Sequence, residues 1–182
     1  MEHITLSLNA RLQPFHRGDR YEDPLDEALG EAGLGKVDGG GTLISKEGEP
    51  EECDVEIELS RDFAVCKNEF MQILQKFPIP KGSHLIFSPD NRREIGTLEG
   101  LALYLNGIDL PDSIYEKCDI NYVVSELGNL LENKGELYSW WEGPQDTALY
   151  FYGENFAGMR HFIAPFLDEY PLCQKCRVTQ IA

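Results

Sequence analysis

The chain has 182 residues, 42% of them hydrophobic, which is enough for one packed core or two small ones. Its 32 acidic residues against 16 basic give a net charge of -16, a surface that repels nucleic acid and anionic membranes and attracts basic partners. No apolar run approaches a membrane span and no basic, apolar presequence follows Met1, while five cysteines, an odd number, fit a reducing cytoplasm better than a disulfide framework.

Residues 3–10 alternate, with Ile4, Leu6 and Leu8 apolar, and read as a strand with one buried face. Residues 13–23 hold Pro14, Gly18 and several charges and read as a loop. Asp23 followed by Pro24 is a helix opening, acid as cap and proline in the first turn, and this helix buries Leu25, Ala28 and Leu29 before stopping near Gly33. Residues 37–44 pass through Gly39, Gly40 and Gly41 and predict a strand with a weak or bulged start. A polar turn over 46–52 leads to 54–59, which alternates cleanly: Val55, Ile57 and Leu59 inward, Asp54, Glu56 and Glu58 outward. A helix follows from Phe63 to a stop at Pro78, with Asp62 as its cap, and then a short strand over 84–87.

Residues 88–97, rich in Pro, Asp, Asn and Arg, read as a linker, and the second half restates the first. A strand over 101–107 precedes a helix over about 119–133 that carries Val123, Leu127, Leu130 and Leu131 at helical spacing. Strands over 136–141 and 147–152 flank Gly143 and Pro144 as a compact hairpin, then come a helix from Phe156 and a last strand over 177–181. The two long helices are one pattern written twice: FAVCKNEFMQILQKFP at 63–78 and FAGMRHFIAPFLDEYP at 156–171, an offset of 93, with Phe, Ala, Leu and Pro recurring in register. The first strands match at an offset of 97, so loop changes of four residues absorb the difference. The chain is therefore predicted to be α+β, a tandem duplication of a βαββαβ ferredoxin-like (split βαβ) unit, antiparallel sheets with helices on one face. The halves span 1–90 and 97–182.

Little in the sequence points to chemistry. Cys173 and Cys176 form a lone CxxC placed after a helix has ended, whereas redox versions of the motif set the first thiol at a helix start. The glycines at 33, 35 and 39–41 lack the Lys-Ser/Thr or strand-glycine-helix context of a phosphate loop. His3, His16, His84 and His161 are scattered and unpaired with acids at ligand spacing. No catalytic residue, cofactor or metal is therefore assigned.

Two distributions are more informative. Residues 19–58 hold fourteen acids against Arg20, Lys36 and Lys46, most of the chain's excess, and Glu56 and Glu58 lie on the outer face of a strand rather than in a tail. Such a run reads either as a solvated face or as a rigid docking surface for a basic protein. Tyr138, Trp140 and Trp141 with Tyr150, Phe151 and Tyr152 crowd one hairpin. Alternation cannot hide adjacent aromatics on one face, so one face packs under helices and the other either shows aromatic surface or is covered by the other half. A base-stacking platform would need a basic groove, which this chain lacks.

Small size, acidity, the missing catalytic set and the βαββαβ duplication resemble bacterial immunity proteins of polymorphic or contact-dependent growth inhibition toxin systems. The segments LNARLQP at 8–14, YEDPLDE at 21–27 and GGGT at 39–42 are similar in style to one such group. The resemblance carries over no residue. It implies a cytoplasmic, non-enzymatic protein that binds a cognate toxin, often a basic nuclease, and blocks its active site or substrate path. On this reading Asp19, Glu22, Glu56 and Glu58 contact the basic partner, with Trp140, Trp141 and Tyr152 as anchors. Neither nucleic acid nor membrane is expected as a partner. The competing readings are a small-molecule-binding or enzymatic protein using a cleft between the halves, and an acidic regulator that inhibits a cellular ribonuclease.

Overall fold

The computed structural model describes residues 2–182. The fold is α+β, with two antiparallel sheets each flanked by helices, and the chain divides into two compact units. The first unit takes the chain as far as Ile44 together with Pro50–Thr97; the second takes Ser45–Glu49 together with Leu98–Ala182.

In the first unit the strand order is β2 (Gly35–Ile44), β3 (Pro50–Leu59), β1 (Glu2–Leu8), β4 (Ser83–Ser88), β5 (Asn91–Ile95). Every pairing is antiparallel. The period-two pattern does what it predicts: Ile4, Leu6 and Leu8 face Ile57, Val55 and Cys53 in register, all buried. Helices α2 (Asp23–Glu31) and α3 (Phe63–Leu74) supply Leu25, Leu29, Cys66, Phe70, Ile73 and Leu74 to the core. Burying each large aliphatic side chain is worth about 1.5–3 kcal/mol, so a one-residue slip of β3, which would turn Glu56 and Glu58 inward, is strongly disfavoured.

In the first unit two segments differ from the sequence reading. Residues 14–23 are helical, not a loop: α1 (Pro14–Arg17) runs through a single π-helical turn (Gly18–Glu22) into α2. Asp23 does not cap a new helix, because the chain is already helical at Glu22. The wide turn, closed by Asp23 N–H donating to Gly18 O, lies directly ahead of Pro24, which lacks the N–H a standard turn needs. Tertiary contacts hold it: Tyr21 is buried and its hydroxyl donates to Pro78 O at 2.7 Å. The second difference is the linker at 88–97, which carries β5, paired with β4 and continuous with the first sheet.

The second unit has the order β7 (Gly135–Glu142), β8 (Asp146–Gly153), β6 (Glu99–Asn106), β9 (Arg177–Gln180). Taking the strands in chain order within each unit, both sheets run second, third, first, fourth, which is the duplicated βαββαβ arrangement. The helix-side core joins Leu101, Leu103, Leu105, Leu149 and Phe151 to Val123 and Leu127 of α5 (Ile120–Leu130) and to Met159 and Ile163 of α6 (Phe156–Glu169). A short helix, α4 (Asp112–Lys117), precedes α5 where no element is expected from the sequence. Asp119 and Asn155 cap α5 and α6, accepting from Asn121 N at 2.8 Å and Gly158 N at 2.6 Å. The opposite face of this sheet is buried too: Tyr138, Tyr150 and Tyr152 show 3%, 0% and 2% exposure. Glu49, which belongs to this unit, accepts hydrogen bonds from the hydroxyls of Tyr104 at 2.6 Å and Tyr150 at 2.9 Å.

The repeated helices have matching packing. Cys66 and Phe70 of α3 and the corresponding Met159 and Ile163 of α6 are all buried. The duplication also extends to a contact absent from any sequence pattern. The Glu2 carboxylate accepts from Phe63 N at 2.6 Å, and Glu99, 97 positions later, accepts from Phe156 N at 2.8 Å. In each unit the first residue of the first strand thus binds the opening amide of the repeated helix, where a negative charge also meets the positive helix end. No helix of the described residues is long and apolar enough to cross a membrane.

Candidate functional site

One face of the first sheet is polar, and register fixes what stands on it. One row runs Gly39, Glu56, Thr5, Ile86, Arg92 across five strands; the next runs Gly41, Asp54, Ser7, His84, Glu94. A third pairs Lys36 with Glu58 and His3. These are the outward positions of strands whose inward positions are buried, so the face is rigid as well as polar. A recess of about 200 Å³ opens on it beside Ser7, Asn9, Glu52, His84 and Arg92.

The acids of this unit fall into two groups. Glu22 forms an ion pair with Arg17 at 2.7 Å, largely covered, and Arg17 also donates to Thr42 Oγ1 at 2.6 Å. Lys36 bridges Asp38 and Glu58, each at 2.9 Å. The hydrogen bonds that Lys36 donates to Asp38 and then to Glu58 push the lysine's pKa upward, and the bond from Lys36 holds the Asp38 carboxyl below its ordinary range. These acids are already engaged by cations of the same chain. Among the described residues, Asp19, Asp54 and Glu56 take part in no ion pair; Glu56 is exposed and accepts only from the Thr5 hydroxyl at 3.0 Å.

The glycines of β2 shape the same face. At Gly40 an added Cβ would collide with the Glu22 carboxylate and the Asp54 carbonyl, so the ion pair beneath the sheet requires glycine there. Gly39 has φ +136, beside a bulge between Val37 and Gly39, and its conformation excludes ordinary side chains. Gly41 has neither constraint: nothing lies within 4 Å of a Cβ built on it, and its φ is not positive.

The residues assigned from sequence are therefore not equivalent. Asp19 is exposed on the π-helical turn, and Glu56 is exposed on β3. Glu22 and Glu58 hold internal cations instead of facing outward free. Trp140 and Trp141 lie on opposite faces of β7, paired with Leu149 and Ala148; Trp140 is 43% exposed and Trp141 half-buried against Gly143. Tyr152 is removed from the surface: its ring packs on Tyr138 at 4.8 Å, so it is a core residue and not an anchor. The alternation of β3 already sets Asp54 beside Glu56, whereas Gly41 and Thr5 join them only through strand register.

Cys173 ends a short 3-10 turn (Pro171–Cys173), Cys176 N donates to its carbonyl at 3.1 Å, and Lys175 between them has φ 59. Burial pushes the Cys173 thiol up to about 12 and raises Cys176 as well, so both are held as thiols at neutral pH. Among the described residues no group of three or more His, Cys, Asp or Glu is placed to hold a metal ion.

No family model matches the chain, and no curated protein does. Among solved structures it is similar to the ligand-free regulatory subunit of aspartate kinase from Thermus thermophilus, at 16% identity over 91% of this chain and 94% of that one, with a TM-score of 0.27. It is also similar to the first two RRM domains of a yeast poly(U)-binding protein, at 9% identity over 98% and 99% with a TM-score of 0.26. A third is a ZRD-deleted mutant of TiaS in complex with agmatine, at 9% identity over 99% of this chain and 61% of that one, TM-score 0.29. Likenesses this distant, to proteins of unrelated function, decide nothing about what this chain does.

Proposed function

We propose that the chain is a non-enzymatic, cytoplasmic inhibitor that binds a basic protein, and that it serves as the immunity protein for a cognate basic toxin of the nuclease kind, covering the toxin's active site or substrate path. The observation that carries this reading is the state of the carboxylates on β3. Asp54 and Glu56 stand on an ordered sheet face without a cation from their own chain, while Glu22 and Glu58 have theirs. Two carboxylates without an ion-pair partner on a rigid sheet face steer basic groups and avoid the ordering entropy that a flexible acidic tail loses on binding. The net charge of -16 adds long-range attraction of the same sign.

The test begins with isolation of the tagged chain from its native host and identification of what comes with it in stoichiometric amount. A basic protein is expected, whose toxicity in a growth assay the wild-type chain suppresses and the Asp54→Lys/Glu56→Lys variant does not. A folded double variant that protects cells as well as wild type, combined with no basic protein in the isolate, overturns the reading.

A further inference from the structure

Resting on that reading, we propose that the docking point is the open sheet face over Gly39 and Gly41, and that its occupant is an arginine side chain of the partner, laid flat on the bare backbone and forked onto Asp54 and Glu56. Gly39, Gly41, Leu43 and Glu56 are exposed there, and the charge of the carboxylates names the complement. Gly39 and Gly41 are two residues apart on the same face, so they clear a strip about 7 Å long, and the neighbouring strand lies about 4.8 Å to the side. That strip accommodates a planar guanidinium, and the carboxylates opposite the two glycines, Glu56 and Asp54, stand where its N–H groups point. At the end of the strip Leu43, 57% exposed on the same face, offers apolar surface to the arginine stem.

Gly41 distinguishes this place from an ordinary solvated acidic face. Glycine inside a strand weakens it, and neither backbone conformation nor packing requires glycine at this position. Gly30 and Gly128 are equally unconstrained, but both lie in helices; Gly41 is the unconstrained glycine in a sheet. Close approach of a foreign group to the backbone is a physical reason for a missing side chain there. Arginine suits the strip better than lysine because a compact, strongly hydrated ammonium gains nothing from a flat floor.

The experiment uses the full chain, isotopically labelled, titrated by NMR with nona-arginine and separately with nona-lysine, for wild type, Gly41→Val and Asp54→Asn/Glu56→Gln. Expected are amide shifts centred on 39–43 and 52–56 with nona-arginine and weaker binding of nona-lysine. Gly41→Val is expected to melt at or above the wild-type temperature and yet lose about tenfold or more in affinity, the loss of one charge-assisted pair. Shifts centred elsewhere on the acidic surface, or full affinity in Gly41→Val, overturn this inference while leaving a basic partner in place. A lowered melting temperature in Gly41→Val also overturns it, since the glycine would then serve the fold. If neither peptide binds, the basic-partner reading falls with it.

Discussion

Replacing Glu99 by alanine tests the duplicated architecture at its least visible point. The variant removes the acceptor of the Phe156 amide, a 2.8 Å hydrogen bond at the first residue of α6, and a negative charge at the positive end of that helix. A hydrogen bond to a charged group is worth about 1.5–3 kcal/mol net and the helix-end charge about 0.3–1 kcal/mol. Because Glu99 is only half-buried, the low end applies, roughly 1.5–2 kcal/mol. With an m-value of about 2 kcal/mol/M this moves the urea midpoint by roughly 1 M. Hydrogen exchange reads the same event locally: the Phe156 amide should exchange roughly 10–30-fold faster. Glu2→Ala should do the same to the Phe63 amide, and Glu99→Gln, which keeps an acceptor oxygen without the charge, should fall between alanine and wild type. A midpoint shift under about 0.2 M, with the Phe156 amide as protected as before, would refute the assignment of Glu99 as a stabilising partner of α6.

Tyr152→Ala should cost about 3–5 kcal/mol, as truncating a buried aromatic does, and should lower the thermal midpoint without any selective loss of binding once the protein is folded. Scanning calorimetry beside an affinity measurement checks both halves of that statement. The third outcome concerns alkali. Burial raises the Cys53 thiol from its ordinary value of 9.0 to about 12, so the folded state binds that proton more tightly than the unfolded chain does. The stability this provides is complete below pH 9 and is lost as pH rises from about 9 towards 12, at about 1.4 kcal/mol per pH unit for this thiol. Urea midpoints measured at pH 8 and pH 10.5 should diverge for wild type and diverge less for Cys53→Ala.

Sequence alone revealed the parts of this fold whose hydrophobic pattern is one-sided. Alternation in 54–59 and the helical spacing of the 63–78 and 156–171 repeats follow from burial of a single face, and both halves were legible on that basis. β5 was not, because an exposed edge strand of Asn91, Arg92, Arg93 and Glu94 has no buried face to leave a pattern. The helical run from Pro14 was hidden for the opposite reason: local signals favoured a break at Gly18 and Asp23, and the buried side chains of Arg17 and Tyr21 overrode them. Charge was legible as a total but not as a vacancy. Four acids of one sign looked alike in sequence, and only side-chain partners separate Glu22 and Glu58, held by Arg17 and Lys36, from Asp19 and Glu56. The aromatic hairpin left two outcomes open, aromatic surface or a buried second face, and the burial of Tyr150, Phe151 and Tyr152 together decides for the second.

Strand β2 is ten residues long, glycine-rich and at the rim of its sheet, the kind of edge from which fibrils grow. Two features already noted or adjacent to it blunt that hazard: the bulge at Val37 and Gly39 breaks its flatness, and the Asp26 carboxylate takes the Val37 N–H at 2.8 Å. An acid that looks like one more contributor to surface charge thus occupies a backbone donor that a neighbouring molecule would otherwise seize. Colloidal behaviour and partner recognition are therefore written into the same stretch of chain, and loss of Asp26 would register in light scattering before it registered in a melting curve.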